Sequence, residues 1–592
     1  MPNLPLRSEV KEEYTWDLTK IYASKEAWKK DFCRAQKELK RAKQFKGKLG
    51  ESSEKLLEAL NWQLDNLVLI TRLHVYAYLQ KEVDIDDVEV QEVLKQIRTL
   101  SSNFRTATNY MKPEIAKIKD LDKWLETGLL DDYKSLLIDI KGTKYLSKRE
   151  RELFASLGDI KDSIKDAYDT LSDFEIYIGK NEDRDVTLKD ESCYNLMLSQ
   201  NRDMREIGYN ELHEAYKEHE RTLANLYAGS IKHNVLTAKL RGYTSTLEAA
   251  LDSDDIPMSI FTNLINVVHK ALPLLHRYYA IRKKILGVDE LHIYDIYVPL
   301  VDSVQVNISY ENAAQLIKES VLPLGLEYSN LLYAGLTKER WVDRYPNEGK
   351  SSLSHYIETY TDNPYILLNY KGDSIEDVIE LAHESGHAMQ GYYSVHNNTF
   401  FSYVFPDFAN EVASKFHEQL LVKYLYEHAE SEKVKTYLLG MQLDCMISDL
   451  FLQTLYSEFE VKCHIQQEKG EPLTLDFFLK TYKGLLETYY GPEMHFEENS
   501  DVGGLCVHHF YNDYYVYKYA TGLSAAIALS ERVLNGGEKE RQDYLDYLKL
   551  GSTKTAIEGL KVAGVDMTTV APIEATVKKF ANLLDDFEKR MS

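Results

Sequence analysis

Two histidines one helical turn apart, with a glutamate directly after the first, form the segment of the chain best suited to chemistry. These residues are His383, Glu384 and His387. On a helix the two imidazoles share one face, so that their nitrogens can bind one zinc ion. Glu384 lies about 100° round the helix, where it can act on a water at the metal without being a ligand. The spacing therefore predicts zinc-assisted peptide hydrolysis.

A five-residue pattern of this kind also arises by chance, and the chain contains its own controls. Three further His-Glu pairs begin at His213, His219 and His417, and none has a second histidine four residues later. Such pairs are typical of solvated helix faces. The residues around His383 must therefore decide whether the motif is functional.

The residues before the motif predict a strand, a turn and a helix. Residues 364–370 are short and apolar between polar neighbours, which favours a strand, and residues 371–373 favour a turn. Ser374, with Asp377 three residues later, indicates a capping box, and apolar residues follow at helical spacing. Both histidines lie on or beside the inward face, where metal binding would satisfy them. Because Gly386 costs about 1 kcal/mol relative to Ala in a helix, we expect close packing or a close approach there.

A catalytic zinc usually has a third protein ligand. Gln390 and Tyr393 stand where a metzincin would have Gly and His, so that class is excluded. Glu411 begins a second amphipathic segment 24 residues after His387, and a glutamate among apolar neighbours favours a metal partner. A glutamate at a helix N-terminus is also favoured by the helix dipole, so both interpretations stay open here. Glu418, two turns later, is a candidate to support a ligand.

Together these residues resemble the thimet-oligopeptidase-like metallopeptidases, in particular their bacterial oligoendopeptidase F branch. The segments that carry the resemblance are 7–10, 14–18, 364–370, 383–387, 410–414 and 517–526. The resemblance implies that His383, His387 and Glu411 hold one zinc ion per chain and that Glu384 is the general base. It also implies a mainly α, multi-helix enzyme in two parts. A deep channel would admit oligopeptides, and a small β-sheet would lie next to the zinc-binding helix.

Phenols are dense between residues 508 and 519, in a chain with 43 Tyr and only 19 Phe. Tyr514 and Tyr517 are three residues apart, and Tyr515 and Tyr519 are four apart, so each pair would share a helix face. Such a stripe is typical of core packing. It would also suit donors to the oxyanion that forms when a peptide bond is attacked.

The family resemblance favours substrate contact by one histidine and two tyrosines of this segment. The best matches are His509, Tyr514 and Tyr517, with Tyr511 in reserve. The chain also departs from its relatives, with His508 in place of a usual Pro and Gln390 in place of a frequent His. Residues 348–356 replace a more basic segment that borders the substrate. These differences leave the zinc motif intact and concern substrate preference.

Amphipathic stretches rich in Leu, Lys and Glu dominate the 592 residues, which favours a mainly α architecture. The clearest predicted helices are 25–45, 54–78 and 206–240. Turn-rich stretches that mark possible boundaries are 179–185, 252–257 and 345–350. We expect an N-terminal helical domain, residues 1–200, and a catalytic zinc metallopeptidase domain, residues 201–592.

The net charge of −23 makes nucleic acids and acidic membrane surfaces poor partners. The five cysteines are odd in number and contain no CxxC pair, which favours free thiols in a reducing compartment. The start of the chain lacks a signal-like apolar region, and no apolar run of about 18 residues is evident. We therefore expect a cytoplasmic protein that binds no membrane and is a monomer or a weak homo-oligomer.

The sequence thus predicts a zinc-dependent endopeptidase that acts on internal bonds of short oligopeptides. Two alternatives stay open. One is a zinc exopeptidase of the carboxypeptidase kind on a similar helical frame. The other is a peptide-binding protein without catalytic activity.

Overall fold

A computed structural model describes residues 4–142, 148–176, 190–301, 304, 306–361 and 363–592. Most of these residues are helical, which confirms the mainly α prediction. The α-helices are α1 Lys25–Glu38, α2 Ala42–Phe45, α3 Ser53–Val83, α4 Val88–Thr108, α5 Met111–Ile115, α6 Leu121–Leu125, α7 Lys134–Gly142, α8 Lys148–Thr170, α9 Asp190–Met197, α10 Arg202–Glu218, α11 Glu220–Arg241, α12 Thr246–Ser253, α13 Met258–Leu286, α14 Tyr310–Ser320, α15 Leu326–Thr337, α16 Ile375–Asn397, α17 Asn410–Glu427, α18 Glu432–Met446, α19 Gln453–Glu468, α20 Leu475–Tyr490, α21 Tyr517–Asn535, α22 Glu538–Leu548, α23 Ala556–Val562 and α24 Ala571–Met591.

The strands of the described residues are short and form two small sheets. They are β1 Leu291–His292, β2 Val342–Asp343, β3 His355–Ile357, β4 Tyr365–Leu367 and β5 Met494–His495. Strand β4 is central in a three-stranded sheet, parallel to β2 and antiparallel to β3. It is fully buried and leads through a turn into α16. The predicted strand and the small sheet beside the histidine helix are therefore confirmed.

The chain forms two compact units, each built from three segments. Unit 1 comprises Met1–Leu146, Gln305–Tyr424 and Ser530–Ala563, and unit 2 comprises Ser147–Val304, Leu425–Leu529 and Gly564–Ser592. This division differs from the single boundary near residue 200 expected from the sequence. Packing between segments far apart in the chain defines the units, and no change in composition marks it.

Of the three predicted boundary stretches, the two that the structure describes do not coincide with this division. Residues 179–185 lie outside the described residues. Residues 252–257 form the turn between α12 and α13 within unit 2. Residues 345–350 connect β2 to β3 within unit 1. A turn-rich sequence here marks the end of an element rather than the end of a unit.

The core of unit 1 joins its N-terminal helices to the sheet that precedes α16. Buried side chains of α1 to α7 form one cluster with Ile357 of β3 and with Tyr365 and Leu367 of β4. A buried ion pair strengthens the same region, because Lys350 Nζ lies 2.8 Å from Asp343 Oδ1 at the end of β2. The sheet is thereby held both by the N-terminal helices and by this ion pair.

Within the part of the chain that the structure describes, one helix, α13 of unit 2, is long and apolar enough by length and composition to cross a membrane. From the sequence we expected no such run. Core helices pass the same test, and inward residues of α13 such as Leu264, Val268 and Leu275 are buried within unit 2. Its composition is therefore accounted for by core packing.

The predicted helix 206–240 is two helices. Helix α10 ends at Glu218 and α11 begins at Glu220. His219 between them has a ψ of 6°, outside the helical range. Both helices are amphipathic, so hydrophobic spacing alone does not mark the break.

Candidate metal centre

The helix that carries the two histidines begins at a defined cap. The Oγ of Ser374, the residue before α16, accepts a hydrogen bond from the backbone N–H of Asp377 at 3.2 Å. The Asp377 carboxylate accepts from the backbone N–H groups of Gly372 at 2.6 Å and of Lys371 at 3.2 Å. The predicted N-cap is confirmed, but the capping box is not, because the Asp377 carboxylate accepts from the preceding turn instead of from the backbone N–H of Ser374. These contacts fix the start of α16 after β4, and with it the part of the helix that carries the histidines.

Gly386 allows α17 to pack directly on the histidine helix. A Cβ at this position would lie 2.4 Å from the carbonyl oxygen of Ala413 and 2.6 Å from Cα of Ser414. The expected close approach is therefore one of backbone to backbone, which only glycine permits here. It brings Glu411 and Glu418 of α17 within reach of α16.

Three ligand atoms converge between the two helices. His383 Nε2 and His387 Nε2 lie 3.2 Å apart, and Glu411 Oε2 lies 3.4 Å from the first and 3.5 Å from the second. Tetrahedral zinc with bonds of about 2.0–2.1 Å places its ligand atoms roughly 3.3–3.4 Å from one another. Among the described residues, these three form the one group of three or more His, Cys, Asp or Glu that is placed to hold a metal ion.

Glu418 sets the orientation of His383. Its Oε1 accepts a hydrogen bond from His383 Nδ1 at 2.6 Å and lies 3.3 Å from Lys415 Nζ. Burial opposes ionisation of Glu418, but Lys415 and His383 outweigh burial and hold its pKa below the ordinary value. An ionised carboxylate needs a donor, so the proton of His383 lies on Nδ1 and Nε2 presents its lone pair. This is the tautomer that binds a metal.

Glu411 is held as an anion although it is partly buried. Burial raises its pKa, but hydrogen bonding to His387 and the charges of His387 and His383 outweigh burial and lower the pKa to about 2. Ser414 Oγ also donates a hydrogen bond to Glu411 Oε2 at 2.9 Å. Glu411 therefore presents a deprotonated, oriented oxygen to the histidines, as a ligand must.

The pair His417–Glu418 does not lie on a solvated helix face, so that expectation is wrong. His417 is fully buried, and its Nε2 lies 2.7 Å from the hydroxyl of Tyr328. Burial lowers the pKa of His417 to about 3, so the ring is neutral at neutral pH. On this helix His417 faces the core, whereas Glu418 faces His383.

Glu384 is buried with part of its carboxylate unpartnered among the described residues. Its side chain is 6% exposed, and its Oε2 is buried without a hydrogen-bond partner among the described residues. A buried carboxylate oxygen without a partner is costly. A metal ion with its water would remove that cost, so this atom and the three converging ligand atoms together fit zinc.

Tyr356 of β3 packs against the metal centre and was not singled out from the sequence. Its ring is nearly parallel to that of His387, with centroids 6.2 Å apart and an interplanar angle of 14°. Its hydroxyl occupies the space that a Cβ at Gly391 would need. Tyr356 therefore restricts the rotation of His387. The sequence signal for this contact was Gly391, one helical turn after His387.

The aromatic segment of residues 508–519 belongs to unit 2 and is not one continuous helix. Residues His508–Tyr511 form a 3-10 turn, and α21 begins only at Tyr517. Tyr514 between them has a φ of 51°, in the left-handed region that side chains rarely adopt. The prediction that Tyr514 and Tyr517 share a helix face is therefore wrong. The backbone N–H of Tyr514 instead donates to the buried carboxyl of Glu460 at 2.8 Å, which holds the turn.

His509 is partly buried among phenols of its own segment. Its Nε2 lies 3.4 Å from the Tyr519 hydroxyl, and its ring is parallel to that of Tyr515 with centroids 5.9 Å apart. Burial and the adjacent His508 lower the pKa of His509, which favours the neutral ring. Tyr515 lies before the start of α21, so the prediction that Tyr515 and Tyr519 share a helix face is also wrong.

The predicted tyrosines are more deeply buried. The Tyr514 hydroxyl lies 2.7 Å from Thr246 Oγ1. Tyr517 is 1% exposed, and its ring packs edge-on against Phe261 with centroids 5.5 Å apart. The reserve candidate, Tyr511, is buried, and its hydroxyl has no partner among the described residues.

These residues line two different cavities of unit 2. His509 lies on a cavity of about 680 Å³, whereas Tyr514 and Tyr517 line one of about 260 Å³. The structure therefore brings the predicted metal ligands together in unit 1. Within unit 2 it separates His509 from the two tyrosines.

An HExxH helix with a glutamate on the next helix and a carboxylate behind one histidine is an arrangement typical of zinc-dependent peptidases. The profile of Peptidase family M3 matches residues 195–579, more than half of the chain. The chain belongs to this family, and it is a peptidase.

Known relatives agree over nearly the full length. Oligopeptidase PepF of Bacillus subtilis is 36% identical over 99% of this chain and 88% of its own. An oligoendopeptidase F homolog of Borreliella burgdorferi is 35% identical over 98% of this chain and 99% of its own. The crystal structure of oligoendopeptidase F from Enterococcus faecium superposes with a TM-score of 0.73 at 28% identity, covering 95% of this chain and 98% of that one.

Proposed function

We propose that the protein is a zinc-dependent endopeptidase that hydrolyses internal bonds of short oligopeptides. The observation that carries the proposal is the triangle of His383, His387 and Glu411, whose ligand atoms have the spacing of a tetrahedral zinc site. Glu384, the residue after the first ligand, has a buried and partnerless carboxylate oxygen. The names of the relatives, oligopeptidase and oligoendopeptidase, support the substrate class.

Zinc held by these three residues would lower the pKa of a bound water toward about 7 and polarise the substrate carbonyl. Glu384 accepts the proton of the attacking water and delivers it to the leaving amine. Glu418 keeps the proton of His383 on Nδ1, so that Nε2 is available as a ligand. Tyr356 limits rotation of His387.

Substrate contact by His509, Tyr514 and Tyr517 is the second part of the proposal, and it rests on the family resemblance. His509 opens onto a cavity and can donate from its ring. Tyr514 has its hydroxyl bonded to Thr246, so it must exchange that partner to reach a substrate. We add Tyr519 as the phenol that orients the His509 ring.

A peptide blocked at both termini separates the three functions considered from the sequence. With zinc present, we expect mass spectrometry to find internal cleavage, which a chelator abolishes and added zinc restores. An exopeptidase would leave this peptide intact and would trim the same peptide with free ends. A peptide-binding protein without activity would bind both forms and cleave neither. Either of these last two results contradicts the proposal.

A further inference from the structure

The larger cavity of unit 2 has the dimensions of a ligand site. Its volume of about 680 Å³ falls within the roughly 300–1,000 Å³ typical of small-molecule pockets. His508 and His509 form part of its wall. It is therefore adjacent to the histidine proposed for substrate contact, and nothing in the metal centre accounts for it.

One wall of the cavity is a continuous series of aromatic rings. Tyr194, which is half exposed, contacts Tyr297 with ring centroids 6.4 Å apart. Tyr297 lies 6.5 Å from Tyr209, which stacks on His213 at 3.8 Å. Burial raises the pKa of Tyr209 and Tyr297, so both remain neutral phenols. The faces of such rings attract cations.

Apart from histidines, the charged side chains among the described residues that line the cavity are carboxylates. Asp169 and Asp173 are among its lining residues, and the described residues that line it include no Lys or Arg. Asp169 is paired with Lys165 at 2.5 Å, whereas Asp173 is exposed and has no ion-pair partner among the described residues. Burial lowers the pKa of His213 to about 4, so this ring adds no positive charge at neutral pH.

These features together favour one class of ligand. Among the described lining residues, an anion would find carboxylates and no lysine or arginine. A purely apolar group would desolvate the carboxylates and phenols without replacing their hydrogen bonds. A cation on an apolar stem suits both the polar and the apolar residues of the wall. The aromatic rings and Asp173 would receive the charge, while aliphatic residues such as Leu212 and Ile296 would contact the stem.

We propose that this cavity binds the side chain of an arginine or lysine residue of the peptide substrate, and so selects basic oligopeptides. The proposal rests on the peptidase function stated above. It assigns substrate preference to residues of unit 2 that are separate from the metal ligands.

The test uses peptides blocked at both termini that carry one arginine, moved through each position in turn. Each is paired with the same peptide carrying citrulline, which has the same shape without the charge. At one position we expect arginine to raise kcat/KM about 5- to 20-fold, chiefly through KM. Asp173→Asn and Tyr194→Leu should each reduce the ratio of arginine to citrulline kcat/KM about 3-fold, chiefly through the arginine peptide. Asp162→Asn, an exposed residue of α8 outside the cavity, is the matched control and should keep the wild-type ratio.

Binding of the same peptides to Glu384→Gln, followed by fluorescence anisotropy, tests the cavity without turnover. We expect the same preference for arginine in Kd and the same loss with Asp173→Asn. A ratio near one at every position would overturn the proposal. So would an unchanged preference in the Asp173→Asn/Tyr194→Leu double variant, or a phenylalanine peptide that binds more tightly than the arginine peptide. If no peptide is cleaved but arginine is still preferred in binding, the peptidase function fails and the cavity assignment stands.

Discussion

The metal centre of unit 1 and the aromatic segment of unit 2 differ in how their residues are held. The candidate ligands of this centre lie on two regular helices, and a glycine sets the distance between these helices. The residues of the aromatic segment lie on a 3-10 turn, a left-handed residue and the start of a helix. Spacing along the sequence converts directly into geometry in the first region and not in the second.

Replacing the third ligand should have the largest effect. Glu411→Gln removes the negative charge of this side chain, which the two histidines stabilise. We therefore expect the zinc content to fall from about one per chain to near zero, and kcat/KM to fall by about 1,000-fold or more. Elemental analysis measures the zinc content, and peptide cleavage measures kcat/KM. Glu427→Gln, at the exposed end of the same helix, should change neither. Full zinc content in Glu411→Gln would instead favour the interpretation of Glu411 as a helix N-terminal acid.

Replacing the carboxylate behind the first ligand should have an intermediate effect. Glu418→Gln keeps the shape of the side chain but removes the charge that fixes the tautomer of His383. We expect zinc affinity to fall about 10- to 100-fold, as for other partners of metal-bound histidines. Competition with a chromogenic chelator measures the affinity. An unchanged affinity would show that the hydrogen bond does not set the tautomer.

The contact between α16 and α17 can be tested through glycine. Gly386→Ala places a methyl group against the backbone of Ala413, so we expect a loss of about 1–3 kcal/mol in the free energy of unfolding together with weaker zinc binding. Gly484→Ala on α20 meets no atom within 4 Å and should instead stabilise by up to about 1 kcal/mol. Denaturant unfolding compares the two. Equal stability of both variants would contradict the close helix contact.

The smallest effects are expected in the aromatic segment. Tyr519→Phe removes the hydroxyl beside His509, and we expect kcat to fall a few-fold with KM nearly unchanged. Tyr514→Phe removes the hydrogen bond to Thr246 and should cost about 1 kcal/mol of stability. Steady-state kinetics and thermal unfolding separate the two roles. A larger loss of kcat in Tyr514→Phe than in Tyr519→Phe would restore Tyr514 as the main substrate contact.

The first region was accessible from sequence because its elements are regular. A cap at Ser374, helical spacing of His383 and His387, and an amphipathic segment from Glu411 suffice to predict two helices and two candidate ligands. The spacing left the role of Glu411 open, and the family resemblance implied it as the third ligand. The role of Gly386 was also expected, although the partner backbone was not. Tyr356 was missed because β3 reaches the helix through the tertiary fold.

The second region was not accessible because its geometry depends on partners far away in the chain. Tyr514 adopts its left-handed conformation with Glu460 bonded to its N–H, and no local pattern announces that contact. The same reason explains the division into units, which no composition change marks. The break between α10 and α11 at His219 could not be predicted either, because both flanking helices have a buried face.

The most direct test of the account is the pair of zinc content and turnover in Glu384→Gln. Because Glu384 is beside the ligands but is not one of them, we expect the variant to retain about one zinc per chain. It should cleave a peptide blocked at both ends at least 1,000-fold more slowly than the wild type. Wild-type turnover with zinc bound would contradict the assignment of Glu384 as the general base, and with it the proposed mechanism.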